Sequence, residues 1–419
     1  MKQKAILVTI AVAIVLASSI TAYYYGKYSS PQTPYTVTQT IAITETFYSP
    51  MTFIATIPTT YSLATTSTVV AKETVTALNT VTMTVGGFAT RYPLEIVDSA
   101  GRRVVIQKEP QRVVVIASTH AYALAALGVA NRIVGGSDTV VNDPLLMRVI
   151  GHNITVIGSF SKPNIEAIIA CQPDLVIVYA SFYRDVYMDI ANRLPNTPVV
   201  MFDLYIPNTM FDELYKLGLI FNKIDRALEL ISKWGSRFAY ITGKAAEIRP
   251  GDRVKVFIET YTELATAGPG SGWHQNLVLA GGINVFADVT APYPKVSPEE
   301  VIARDPDVIM KLVSSSTFNP CKANSTKPLE SIYNNILGRP GWSDLRAVRN
   351  GRLYIVATAY QDALGRVVML GLWARLLYPD VFKDVDPIQW QMDWLRDMGI
   401  DNPEAICKPW WVYPRVLGS

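Results

Sequence analysis

From about Arg91 the chain alternates two kinds of apolar pattern. Short continuous runs occur at Val113 to Ile116, Ile133 to Gly136, Val156 to Gly158, Leu175 to Tyr179 and Val199 to Phe202. Runs of this kind read as strands buried on both faces. Between them, apolar residues recur at helical spacing, from about Ala121 to Leu127 and from Asp185 to Arg193. Leu94 to Asp98 and Arg103 to Ile106 flank a turn at Ser99-Ala-Gly101 and read as a hairpin. No strand pattern occurs from Thr209 to Ile248; instead Ile224, Leu228, Ile231, Trp234, Phe238, Ile241 and Ala245 fall on one helical stripe, ended by Pro250-Gly251. A helix of about 25 residues spans almost 40 Å, enough to join two bodies. Strand patterns then resume at Val254 to Ile258, Asn284 to Phe286, Val308 to Met310 and Arg352 to Val356. Helical patterns stand at His274 to Ala280 and Gly365 to Leu377.

One phrase occurs on both sides of that rod. Asn164-Ile-Glu-Ala-Ile-Ile-Ala-Cys-Gln-Pro-Asp-Leu-Val-Ile177 returns 133 residues later as Ser297-Pro-Glu-Glu-Val-Ile-Ala-Arg-Asp-Pro-Asp-Val-Ile-Met310. Each copy has a helix-capping residue, a Glu two places on, an apolar helix face, Pro-Asp and a buried strand. The pattern predicts two similar α/β lobes with mostly parallel sheets.

The first 90 residues are different material. Lys2 and Lys4 precede an uncharged run from Ala5 to Ala22, followed by Tyr23 to Tyr25. This reads as a transmembrane segment with a cytoplasmic N-terminus, or as a signal peptide cleaved near Ala17-Ser18-Ser19. No Cys follows the run to carry a lipid. Of the 62 residues from 29 to 90, 24 are Ser or Thr and only Glu45, Lys72 and Glu73 are charged. That composition suits an extracellular stalk, although the Val-Thr alternation from Val70 to Val85 also suits a strand. The expected divisions are 1–28 membrane anchor or signal segment, 29–90 stalk, 91–208 first lobe, 209–250 linking helices, 251–385 second lobe and 386–419 a Trp-rich extension.

Net charge is +3, from 38 basic and 35 acidic residues, which leaves no basic footprint for nucleic acid. Of three cysteines, Cys171 lies in an apolar helix and reads as a small core residue. Cys321 and Cys407 lie in irregular, Pro-flanked segments, where an external location allows a disulfide. Asn153-Ile-Thr155 and Asn324-Ser-Thr326 are N-glycosylation sequons.

Several stretches resemble the iron-siderophore and cobalamin class of ABC-importer substrate-binding proteins. They are Arg112-Val-Val-Val-Ile-Ala117 with Leu124 to Gly135, Gly158 to Glu166, Ala280 to Asp288, Tyr293 to Glu299 and Gly341 to Tyr354. They cover about residues 93 to 385 in the family's order. The resemblance implies two Rossmann-like lobes joined by one long helix, with a ligand cleft between them. It implies an importer partnership with permease and ATPase subunits, and an iron chelate (siderophore), haem or cobalamin as cargo. The stalk and the Trp-rich tail lie outside it. The family often has a Ser-Pro-Ser/Ala-Thr-Glu stretch after the first strand. This chain has Ala117-Ser-Thr-His-Ala-Tyr122 instead, so the cargo does not transfer from a relative.

Glu166 and Glu299 match the family positions that dock onto the permease. Taken alone they are ordinary first-turn helix acids. His120 and His274 open the first helix of each lobe, which makes them candidates for ligand contact or axial metal coordination, against the simpler role of cap or cleft wall. His152 reads as a surface residue. Phe160, Tyr179, Trp273 and Tyr293 fall where the family lines its pocket. Tyr205 and Tyr360 follow other strands, and Arg366 offers a partner for a carboxylate or phosphate. Gly268-Pro-Gly-Ser-Gly272 lacks the features of a phosphate loop and reads as a backbone edge of the cleft. No catalytic cofactor is implied and no catalytic set stands out. The resulting expectation is a non-enzymatic binding protein anchored outside the cytoplasmic membrane. An enzyme on a two-lobed scaffold and a surface adhesion protein are the alternatives.

Overall fold

The computed structural model describes residues 29–43 and 77–414. The apolar segment at 1–28 lies outside the described residues, as does 44–76 of the stalk. Among the described residues no helix is long and apolar enough to cross a membrane. Two compact units divide at Ala89 and Thr90. In the first, β1 (Ser29–Ile43) and β2 (Ala77–Thr90) form a two-stranded sheet, and β2 contains the end of the Val-Thr alternation.

The second unit opens with an antiparallel hairpin, β3 (Leu94–Val97) and β4 (Arg103–Ile106). Lobe 1 is built on β5 (Val113–Val115), β6 (Ile133–Gly136), β7 (Thr155–Val156), β10 (Leu175–Val178) and β11 (Val199–Met201). A small hairpin of β8 (Gly158–Ser159) and β9 (Lys162–Pro163) interrupts them. The five strands are parallel, in the order β11-β10-β5-β6-β7. Lobe 2 repeats the plan with β12 (Lys255–Glu259), β13 (Ile283–Asn284), β14 (Val308–Val313) and β15 (Leu353–Ala357), plus an antiparallel edge strand β16 (Val412–Tyr413). Its order is β13-β12-β14-β15-β16. Every residue of β5, β10, β14 and β15 is buried, which explains their apolar sequences, broken in β14 only by the ion-paired Lys311.

The repeated phrase makes the same joint in each lobe. Asn164 caps the helix Ile165–Ala170 by accepting from the Ala167 amide (3.1 Å). Ser297 caps Pro298–Arg304 in a full capping box with Glu300. Each helix is followed by a left-handed residue, Gln172 or Asp305, which turns the chain back toward the sheet. The Asp of each Pro-Asp then ties down the start of the neighbouring strand. Asp174 accepts from the amides of Gln111 and Arg112 (2.8 to 3.1 Å), and Asp307 from that of Lys255 (2.9 Å).

Two helices, Met210–Ile220 and Ile224–Ala246, connect the lobes. The second, at 23 residues, is about 35 Å long. The C-terminal extension lies along it as a strap. In the helix Pro387–Asp397, the Asp397 carboxylate accepts from Lys233 Nζ (2.7 Å) and Trp234 Nε1 (2.8 Å). Arg226 donates both to Asp397 and to the Ala126 carbonyl of lobe 1. Further on, Cys407 is joined to Cys321 by a disulfide, and β16 ends the strap on the lobe 2 sheet. Cys171 is buried and free.

Candidate functional site

The carboxyl ends of the two sheets face each other, and the side chains leaving them meet across the gap. In lobe 1, β10 is followed by Tyr179 and leads to Phe182, while β11 leads to Tyr205. Asp203 fixes this edge. Its Oδ1 accepts from the Ala180 and Ser181 amides (both 3.0 Å) and from Ser181 Oγ (2.9 Å). Burial pushes the Asp203 carboxyl up, and those three donors offset part of the effect. The Tyr205 hydroxyl pairs with Ser181 Oγ (2.6 Å), and its ring stacks on Phe182 with centroids 5.4 Å apart. Tyr179 meets both rings edge-on.

In lobe 2, Ser271 caps the helix Gly272–Leu279 by accepting from the His274 amide (3.1 Å). This sets Trp273 on the inner side. Gly272 has no alternative here, since a Cβ would stand 2.9 Å from the Tyr205 ring of lobe 1. Arg366, in the first turn of Gly365–Leu377, lies flat on Trp273 with Cζ 3.6 Å from the ring centroid. Its Cζ is 5.7 Å from the Tyr205 ring centroid. The lobes also meet where Phe182 faces Tyr293 (6.2 Å) and where Thr119 Oγ1 donates to Asp362 (3.2 Å).

The electrostatics of this meeting point centre on Arg366. It is 4% exposed, and Nη2 donates to Asp362 (2.7 Å). Nε and Nη1 have no hydrogen-bond partner among the described residues. A buried guanidinium with three N–H groups unsatisfied, one on Nε and two on Nη1, carries a desolvation cost.

The expected aromatic residues are thus divided. Tyr179, Tyr205, Trp273 and Tyr293 gather with Arg366 at the meeting of the lobes. Phe160 stands beside them, edge-on to Tyr183 (5.9 Å). Tyr360 does not line this face. It is 1% exposed, its hydroxyl accepts from Asn319 Nδ2 (3.0 Å), and its ring packs on Tyr122. Tyr360 thus packs apart from the Arg366 group, at a position of left-handed backbone.

The histidines need a larger correction. His120 is fully buried, with Nε2 bonded to the Phe202 carbonyl (2.8 Å) and its ring against Tyr179 (4.8 Å). It supports Tyr179 from behind. His274 is half-buried. Asn284 Nδ2 donates to the Ala267 carbonyl (2.6 Å) and to His274 Nδ1 (3.0 Å), while Asn284 Oδ1 accepts from the Phe286 amide. That fixes the amide orientation and places the imidazole proton on Nε2. Metal binding by Nε2 would move the proton to Nδ1, against another N–H donor. No contact joins the two imidazoles, and no group of three or more His, Cys, Asp and Glu suited to a metal occurs among the described residues. His152 uses both ring nitrogens on backbone carbonyls of Ile150 and Ile133.

Burial lowers the His120 pKa from 6.5 to about 4. The unfolded chain therefore binds this proton more readily. The stability held by neutral His120 is full above about pH 6.5 and drains away as pH falls toward 4. A His120→Gln variant is expected to lose less stability than wild type between pH 7 and pH 4. The difference is ~3 kcal/mol at 1.36 kcal/mol per pKa unit, read from urea midpoints at pH 7, 5 and 4. Parallel pH curves for the two proteins would refute the assignment.

On the outer surfaces, Glu166 and Glu299 are exposed in the first turns of the two repeat helices, and Asn153 and Asn324 are also exposed. Sequence reasoning missed Phe182, Thr119 and Asp362. Phe182 carried a usable signal, since it follows a strand end in Ser181-Phe-Tyr183, where ligand-facing residues of parallel sheets collect.

Residues 113–360, more than half of the chain, match the sequence profile of the periplasmic binding proteins. The chain belongs to this family. A Bacillus subtilis protein described as an uncharacterized ABC transporter substrate-binding lipoprotein, YvrC, is 25% identical over 70% of this chain and 88% of its own length. The vitamin B12-binding protein of Salmonella typhimurium is 29% identical over 45% of this chain and 67% of its own. In fold, the chain resembles the TroA-like periplasmic binding protein FepB from Veillonella parvula. The TM-score is 0.62 at 20% identity, covering 73% of this chain and 96% of that one. The molybdate-bound MolA of Haemophilus influenzae gives a TM-score of 0.59 at 20% identity, covering 73% and 97%. This periplasmic binding protein is a substrate-binding component of an ABC transporter, a class that works with permease and ATPase subunits.

Proposed function

We propose that the protein captures an iron chelate, haem or corrinoid between its lobes and hands it to an importing permease. The observation that carries this reading is the buried Arg366, stacked on Trp273 with Nε and Nη1 unpartnered and faced by Tyr205. Aromatic faces suit a large, flat or macrocyclic cargo, and the guanidinium suits its carboxylate, phosphate or chelating oxygen. Cargo enters with limited lobe movement, because the joint is a helix braced by the C-terminal strap. The protein works outside the cytoplasmic membrane, held by its N-terminal apolar segment, with Glu166 and Glu299 as the two acids that meet the permease. An exterior location also leaves the Asn153 and Asn324 sequons open to glycosylation.

The test is a thermal melt of the full chain with cyanocobalamin, haem, a ferric hydroxamate and molybdate. A ligand at 100 times its Kd is expected to stabilise the fold by about 2.7 kcal/mol. A rise with cyanocobalamin, haem or the ferric chelate supports the reading. A rise with molybdate alone replaces a chelate cargo with a small oxyanion, and no rise with any of the four sinks it.

A further inference from the structure

Behind the aromatic wall of lobe 1 lies a buried carboxylate with no cation beside it. Glu213 is 0% exposed and stands in the first turn of the linking helix Met210–Ile220. Among the described residues its partners are three donors. The Ser99 hydroxyl and the Asp203 amide (3.0 Å) donate to Oε1, and the Leu204 amide donates to Oε2. Burial pushes this carboxyl up; the three donors offset part of the effect, and the nearby Asp203 charge adds to it. An apolar side chain would anchor the helix to the sheet at lower cost. A carboxylate, which only accepts, can instead take two successive amides and a hydroxyl at once. The backbone it holds is unusual. Leu204 is left-handed, at φ 54°, a conformation costly for a residue with a Cβ. Its side chain is 1% exposed, so Gly could not replace it without leaving a cavity. The next residue is Tyr205. Asp203 carries the same network to the far end of that ring, since its Oδ1 accepts from Ser181 Oγ, which pairs with the Tyr205 hydroxyl. The ring and carbonyl of Tyr205 then lie against Gly272 of lobe 2.

We infer that Glu213 is the positioning residue of the aromatic wall: it fastens Tyr205 to the linking helix, so that the wall and the joint between the lobes move as one. Glu213 acts through Tyr205, holding its backbone while Ser181 holds its hydroxyl. The consequence for binding rests on the reading of the cleft as the cargo site; the hold on Tyr205 does not.

The experiment reads Tyr205 directly. The full chain is labelled with 3-fluorotyrosine. The fluorine signals of Tyr205 and of Tyr333, which packs on Tyr413 in lobe 2, are identified by their loss in Tyr205→Phe and Tyr333→Phe. Glu213→Gln keeps the shape but turns an amide N–H group toward a backbone donor. Without cargo it is expected to move or split the Tyr205 signal and to leave that of Tyr333 in place. Ser99→Ala removes one donor, spares the carboxylate and is expected to move the same signal less; it decides the matter if Glu213→Gln does not fold. The second arm is calorimetric titration with a probe that raises the melting temperature. Glu213→Gln is expected to weaken binding by about 10-fold in the wild-type background and by less than about 2-fold in Tyr205→Ala. A Tyr205 signal unmoved in the variants that fold overturns the proposal, and so does the same loss of binding in both backgrounds. Equal movement of the Tyr333 signal shows general loosening and also overturns it. If no probe binds the wild type, the cargo reading fails, and the fluorine signals alone decide the hold on Tyr205.

Discussion

Arg366→Ala is expected to weaken cargo binding by about 100-fold or more, since truncating one partner of a buried charge pair costs roughly 2–5 kcal/mol. The guanidinium does three things that no neighbour can replace. It offers the N–H groups of Nε and Nη1 on opposite edges of its plane, it covers the Trp273 face, and it neutralises Asp362 through Nη2. Arg366→Lys keeps the charge but loses the planar fork and most of the stacking, so it is expected to recover only part of the affinity. Calorimetric titration with whichever of the four probes raises the melting temperature checks both variants. An alanine variant that binds within threefold of wild type would remove Arg366 from cargo recognition. A loss in alanine fully restored by lysine would leave charge, rather than the donor pair, as the determinant.

Much of the architecture was legible because buried parallel strands and capped helices leave local signatures. The unbroken Val113 to Ile116 and Leu175 to Val178 runs, the Asn164 and Ser297 caps and the two Pro-Asp joints each act within a few residues of themselves. The long stripe from Ile224 to Ala245 likewise showed the linker. The site was only partly legible. Tyr179, Tyr205 and Trp273 follow from their places at strand ends and helix starts. The direction of a side chain in the first helical turn does not, and His120 turned to the Phe202 carbonyl although it occupies the expected helix. The packing of Tyr360 on Tyr122 was likewise not legible, since its left-handed backbone follows from the surrounding loop and not from its own propensity. The strap was visible only as Trp-rich composition. Its contacts, such as Asp397 with Lys233 and Trp234, pair residues more than 160 positions apart.

Glu259→Ala is expected to destabilise the protein by about 3–5 kcal/mol, because it strands buried cations. Glu259 is 0% exposed at the end of β12. Burial alone would raise its pKa, but bonds from Arg339 (2.6 and 2.9 Å) and the charge of Lys311 (3.1 Å) more than offset that and hold it below the usual value. The arrangement reaches the site. Lys311 Nζ also donates to the carbonyls of Thr260, Tyr261 and Thr262, so the charge cluster clamps the loop that carries Tyr261 to Thr358 at the rim. With a depressed folded pKa, the stabilisation is present above the unfolded carboxyl's pKa and is lost as pH falls through the folded one. Urea unfolding at pH 7 should therefore show the full loss in Glu259→Ala, shrinking in acid as the wild type protonates. The Glu263→Ala control removes the 72% exposed partner of the same Arg339 and is expected to cost under about 1 kcal/mol. Equal losses from the two variants would show that the cluster acts as a surface ion pair, and the rim would then need another anchor.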